Sequence, residues 1–245
     1  AQLSVERQGE VALFRLGDDG DFPRLSLSLL RELERALIEA GRDAKVRGIV
    51  IAGSDRAFAA GADLVEVSAL TAASALPFSA VGQGLFRSIE RFPKPVVAAI
   101  RGYCPGGGLD LALACHMRIA ATDAIFGHPG GTLGIMTGFG GTQRLPRLIG
   151  RARAMEMLAA GRTITAGEAH SWRLVSRVVA PDGLLDAAEE GGIELVAADV
   201  EHLGRVAEWT EQFQSAVERF ELRRVVRGHV HQAHQLACEP PDHLR

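Results

Sequence analysis

Two short stretches have residue types and contexts suited to acyl-group chemistry: Ala59-Ala60-Gly61-Ala62-Asp63 and Gly106-Gly107-Gly108-Leu109-Asp110. Each follows an apolar, strand-like run and precedes a helical pattern. Small residues in such turns leave backbone N–H groups uncovered, and one N–H from each turn can converge on a single oxygen. Two converging amides form an oxyanion hole, which stabilises negative charge growing on a carbonyl oxygen. Taken singly, either turn reads as a tight strand-to-helix connection; the matched pair favours a site. A phosphate-cradling loop is the competing functional reading. It lacks its residues, because no Gly-Lys-Ser/Thr follows Gly106-Gly107-Gly108 and no Gly-x-Gly-x-x-Gly stands there.

The elements that must position these turns alternate. Val11–Leu16, Gly48–Ala52, Val96–Ile100 and Met117–Ala121 read as strands, and residues 26–40, 78–91 and 109–115 as helices. Phe92-Pro93-Lys94-Pro95 stops the second helix, since proline cannot continue the hydrogen-bond ladder. Such repetition predicts an α/β fold with crossover connections. Beyond residue 190 the pattern turns helical, over 194–200, 208–220 and 222–236. The chain therefore divides into an α/β core at 1–190 and a helical tail at 191–245.

Composition narrows the function classes. The 245 residues are 47% apolar and 23% charged, enough for a sizeable core. A net charge of −3 gives no electrostatic case for nucleic acid as a partner. The apolar runs are too short to span a membrane, and the first residues carry no basic, apolar leader. Cys104, Cys115 and Cys238 are scattered without metal-ligand spacing and form no disulfide framework, so a reducing cytoplasm is the expected location. His229, His231 and His234 lack acidic or cysteine partners, so no metal site is expected.

Four ordered segments carry a family resemblance. They are Asp55-Arg56-Ala57-Phe58-Ala59-Ala60-Gly61-Ala62-Asp63-Leu64, residues 95–112 with their triple glycine, Phe126-Gly127-His128-Pro129 through Gly140-Gly141-Thr142-Gln143-Arg144-Leu145, and Ala166-Gly167-Glu168-Ala169 with Leu174-Val175. Together they resemble the crotonase (enoyl-CoA hydratase/isomerase) superfamily over roughly residues 3–185. The resemblance implies a crotonase-like spiral of ββα units, with a C-terminal helical region that drives a homotrimer or a dimer of trimers. It also implies an acyl-CoA thioester of fatty acid metabolism, or an acyl group on a carrier protein, as substrate. No bound cofactor is expected, because coenzyme A is part of that substrate. Ala62 and Gly107 match the positions whose N–H groups form the family's oxyanion hole. Ala60, Gly61, Asp63, Leu64, Gly106, Gly108 and Gly130 fall on the surrounding substrate-binding segments.

The proton-moving residues depart from the family pattern. Hydratases of the family use two glutamates; the first position falls on Asp110, as in the dienoyl-CoA isomerase branch, and the second falls on Gly130. Glycine cannot transfer a proton, and Gly138 lacks the extra acidic residue of the dienoyl isomerases. Asp110 reads either as an acid/base or as a helix-capping carboxylate. His128 reads either as a replacement proton carrier or as a surface or hydrogen-bonded structural histidine, and Tyr103 is a further polar candidate. Arg144, Arg147, Arg151 and Arg153, and Arg223, Arg224 and Arg227, read first as solvated helix faces. The expectation is an enoyl-CoA hydratase/isomerase-family enzyme that stabilises a thioester enolate. Decarboxylation, thioester hydrolysis, carbon–carbon cleavage and a non-catalytic acyl-CoA-binding protein stand as alternatives.

Overall fold

A computed structural model describes residues 3–197, with side chains through residue 194. The strands in chain order are β1 (Leu3–Gln8), β2 (Val11–Leu16), β3 (Gly48–Ala52), β4 (Val96–Ile100), β5 (Tyr103–Pro105), β6 (Met117–Ala121), β7 (Ile125–Gly127), β8 (Thr163–Thr165) and β9 (Arg177–Val179). The helices are α1 (Leu27–Arg42), α2 (Leu64–Ser68), α3 (Ala72–Glu90), α4 (Gly107–Ala114), α5 (Gly141–Ile149), α6 (Arg151–Leu158), α7 (Ala166–Ser171) and α8 (Leu184–Ala197).

Six strands make the main sheet in the order β1-β2-β3-β4-β6-β9, parallel from β2 to β9 with β1 antiparallel at the edge. Every residue of β3 and β4 is buried, as expected of parallel strands covered by helices on both faces. One face carries Phe14, Ile49, Ile51, Ala98 and Ile100 against Leu29, Leu33 and Leu37 of α1 and Phe86 and Ile89 of α3. The other carries Leu13, Val50, Val97 and Ile119 against Leu184, Ala187 and Ala188 of α8. Helix α8 thus begins before the boundary at 190 and runs across it; the rest of the tail, with its histidines and Arg223, Arg224 and Arg227, lies outside the described residues.

The expected strands at Val11–Leu16, Gly48–Ala52, Val96–Ile100 and Met117–Ala121 are present. Helix α3 starts earlier than proline suggests: Thr71 and Ser74 cap it reciprocally, and Pro77 sits near its start. A second sheet, β5-β7-β8, does the positioning. Its parallel β5/β7 register pairs Pro105 with Gly127, and the Gly106 N–H donates to the Gly127 carbonyl at 3.0 Å. That pairing brings the start of α4 beside His128. The two glycine turns follow the carboxyl ends of β3 and β4, where α/β sheets commonly bind ligands.

Candidate functional site

In the first turn, the Ala60 N–H donates to the Pro23 carbonyl at 2.6 Å, and the Gly61 carbonyl accepts from Leu25 at 2.8 Å. The chain reverses at Gly61 (φ +96°), and the next N–H, that of Ala62, finds no acceptor among the described residues. In the second turn Gly106 (φ 54°, ψ −120°) precedes α4 without a side-chain cap. Gly107 is the first residue of that helix, so its N–H has no intrahelical partner. A Cβ at Gly107 would lie 3.0 Å from the Ala62 nitrogen, so the two amides stand side by side. Gly108 allows this approach: a Cβ there would overlap the Ala59 carbonyl. The helix dipole adds partial positive charge at Gly107. The arrangement can receive one developing oxyanion.

The neighbouring candidates have other duties. Asp63 caps α2, its carboxylate accepting from Val65 at 2.8 Å and Glu66 at 3.4 Å, and Arg24 approaches it at 4.0 Å. Leu64 is exposed at the head of that helix. Tyr103 is exposed beside the Phe22 ring, which Arg56 covers at 4.2 Å, and takes no part in the Asp110 cluster.

Asp110 has no exposed surface, although it lies in the first turn of α4. It does not cap the helix. Its Oδ1 accepts from His128 Nε2 at 3.1 Å, and its Oδ2 accepts from the Thr137 hydroxyl. Thr137 Oγ1 in turn accepts the Phe139 N–H at 3.4 Å. His128 is itself 3% exposed, so the expected surface or hydrogen-bonded histidine is the hydrogen-bonded kind. A Cβ at Gly141, the first residue of α5, would overlap Oδ1, so only glycine fits there beside the carboxylate. The nearby Cys104 thiol is pushed up, first by burial and then by the Asp110 charge, so it remains a protonated packing residue.

Arg144 is no solvated arginine. Its guanidinium forks onto Glu90 at 2.7 and 2.8 Å and donates to the Phe139 carbonyl at 2.9 Å, tying α5 to α3 and fixing the loop that carries Thr137. Phe139 packs between Phe78 and Phe86 of α3, and its ring would be 3.4 Å from a Cβ at Gly107. Arg153 lies over Trp172, while Arg147 bonds Gln143 on its own helix. Among the described residues no three His, Cys, Asp or Glu side chains cluster so as to hold a metal, and no helix is long and apolar enough to cross a membrane.

The enoyl-CoA hydratase/isomerase family model matches residues 6–244. The chain belongs to that family. It is 43% identical over 196 residues to a Rhizobium meliloti (strain 1021) protein named "Probable enoyl-CoA hydratase", covering 80% of this chain and 75% of that one. It is 42% identical over 184 residues to a crotonyl-CoA hydratase of Syntrophomonas wolfei, covering 75% and 71%. Among solved structures, an enoyl-CoA hydratase from Bacillus anthracis superposes with a TM-score of 0.79 at 34% identity, covering 94% of this chain and 92% of that one. The crotonase-type α/β fold and the enzyme class expected from the sequence are borne out together.

Within this enoyl-CoA hydratase/isomerase the second carboxylate position is closed. The Gly130 carbonyl accepts from Ile135 N–H at 2.8 Å, and a Cβ at Gly130 would stand 2.6 Å from the Ile135 oxygen. A side chain there would need the 130–135 turn to open. At Gly138 a Cβ would lie 2.6 Å from the Ser79 hydroxyl. The sequence reading missed Thr137, Phe139 and Arg144 as site-building residues; only the fold brings them to Asp110.

Proposed function

We propose that this enzyme binds an acyl-CoA thioester through its carbonyl oxygen at the Ala62 and Gly107 N–H groups and carries the reaction through an enolate. The carrying observation is the pair of unsatisfied amides, side by side, next to the buried Asp110–His128 pair. Charge developing on the oxygen is worth about 2.7–4 kcal/mol per such donor, because the amides need no reorganisation. Asp110 and His128 form the acid/base unit, and enoyl-CoA hydration is the favoured reaction. The names of the relatives support the substrate class. Coenzyme A enters with the substrate, so no separate cofactor is invoked; carrier-protein thioesters, a cytoplasmic location and a trimer or dimer of trimers belong to the same reading.

The closed Gly130 position favours a second reading in which the same enolate leads to another product. Incubating the protein with crotonyl-CoA and longer enoyl-CoAs, with products identified by mass spectrometry, separates the two. Hydroxyacyl-CoA formation is expected. Turnover to any other product moves the assignment to the second reading, and failure to turn over or bind any CoA thioester refutes both.

A further inference from the structure

The hydrogen-bond directions around Asp110 follow once its side chain is taken as the carboxylate. The Phe139 N–H donates to Thr137 Oγ1, whose hydrogen goes to Asp110 Oδ2, and His128 Nε2 faces Oδ1. As a carboxylate Asp110 accepts at both oxygens, which places the imidazole hydrogen on Nε2. A neutral ring then has a lone pair on Nδ1. That nitrogen bonds no described residue, and it lies 3.9 Å from where a Cβ at Gly130 would stand. The free ring nitrogen of a nearly buried histidine thus lies beside Gly130, where the second carboxylate is absent. Asp110, with no exposed surface and both oxygens occupied, stands behind it.

Resting on the thioester reading above, we propose that His128 Nδ1 is the group that exchanges the proton with the substrate, while Asp110 and Thr137 position its ring. In hydration, Nδ1 takes a proton from water as the water oxygen bonds to the β-carbon of the enoyl thioester. The carbon–carbon π pair shifts toward the carbonyl, and the resulting oxyanion is held by the Ala62 and Gly107 N–H groups. The imidazolium, facing the Asp110 carboxylate, then returns the same proton to the α-carbon. One O–H bond breaks, one C–O and one C–H bond form, and the protein ends as it began. One nitrogen acts first as base and then as acid, so no second carboxylate is required. Of the titratable groups packed around the pair, the Cys104 thiol stays protonated and Asp110 is the counter-charge.

The test is His128→Gln in the full chain, assayed with crotonyl-CoA from acid to alkaline pH. The glutamine amide keeps a donor toward Asp110 but cannot titrate. The expected result is a loss of at least about 10²-fold in kcat, little change in KM, and disappearance of the acidic limb of the kcat/KM profile. Thr137→Val should lower kcat, and Thr137→Ser should restore it. A His128→Gln enzyme with wild-type kcat and an intact acidic limb would overturn the proposal, leaving a histidine that only orients Asp110. Ring-nitrogen NMR of the unmutated protein tests it without any substitution: protonated Nε2 with bare Nδ1 supports the assignment, and the reverse tautomer refutes it. A wild-type protein that neither binds nor turns over any CoA thioester but shows the expected tautomer would sink the thioester reading, and this assignment with it.

Discussion

Gly107→Ala asks the most of the oxyanion hole for the least disturbance of the fold. The new methyl carbon would lie 3.0 Å from the Ala62 nitrogen. That is the distance at which a hole holds its oxygen, about 2.7–3.1 Å from each donor. The methyl therefore crowds the Ala62 amide and hinders an oxygen from reaching it. Loss of one donor costs about 2.7–4 kcal/mol, or about 10²–10³ in kcat. The backbone should tolerate the change. Gly107 does not occupy the left-handed region, and apart from the Ala62 nitrogen the nearest group is the Phe139 ring at 3.4 Å, so only a small local shift is needed. Hydration of crotonyl-CoA, followed by loss of conjugated-thioester absorbance, should fall at least about 10²-fold while the thermal midpoint holds. A variant of normal stability that keeps activity within about fivefold would place the oxyanion elsewhere.

Two further outcomes concern the frame around the site. The His116 pKa is lowered, mainly by burial, with Nδ1 accepting from Val96 N–H at 2.9 Å and Nε2 donating to the Glu90 carbonyl at 3.1 Å. The unfolded chain then binds this proton more readily than the folded one. Stability should fall as pH drops below the ordinary histidine value, by up to about 1.4 kcal/mol per pH unit; urea midpoints of His116→Asn, which keeps an acceptor but cannot titrate, should lose that component of the slope. Arg144→Ala removes the fork to Glu90 and the bond to Phe139; because Glu90 is 41% exposed, the loss should be about 1 kcal/mol in urea unfolding, and an unchanged midpoint would contradict the bracing role.

Local pattern revealed the parts of the fold whose signal is local. The apolar runs of β3 and β4 and the glycines at 61 and 106–108 are contiguous in sequence, so both turns were readable. Strand β1 was missed because its outer residues alternate Ser4, Glu6 and Gln8, and it forms only as an edge partner to β2. Helix α3 was expected only from residue 78 and instead starts at Ala72, where the Thr71–Ser74 capping box sets its beginning. His128 could be named as a candidate, but its role depends on the β5/β7 register. Thr137 and Arg144 reach Asp110 and Glu90 across 27 and 54 positions, distances at which no spacing rule operates. The missing carboxylate at Gly130 was visible; the closure of the turn around it was not.

That closure bears on how the site can be engineered as much as on its chemistry. With the Gly130 carbonyl bonded to Ile135 and no room for a Cβ, a glutamate cannot be placed there by one replacement. The turn would have to open in the same step, and an opened turn without the glutamate gives up its hydrogen bond and gains no acid. Each half of the change is costly alone. A single Gly130→Glu replacement therefore does not restore the two-carboxylate arrangement in this fold.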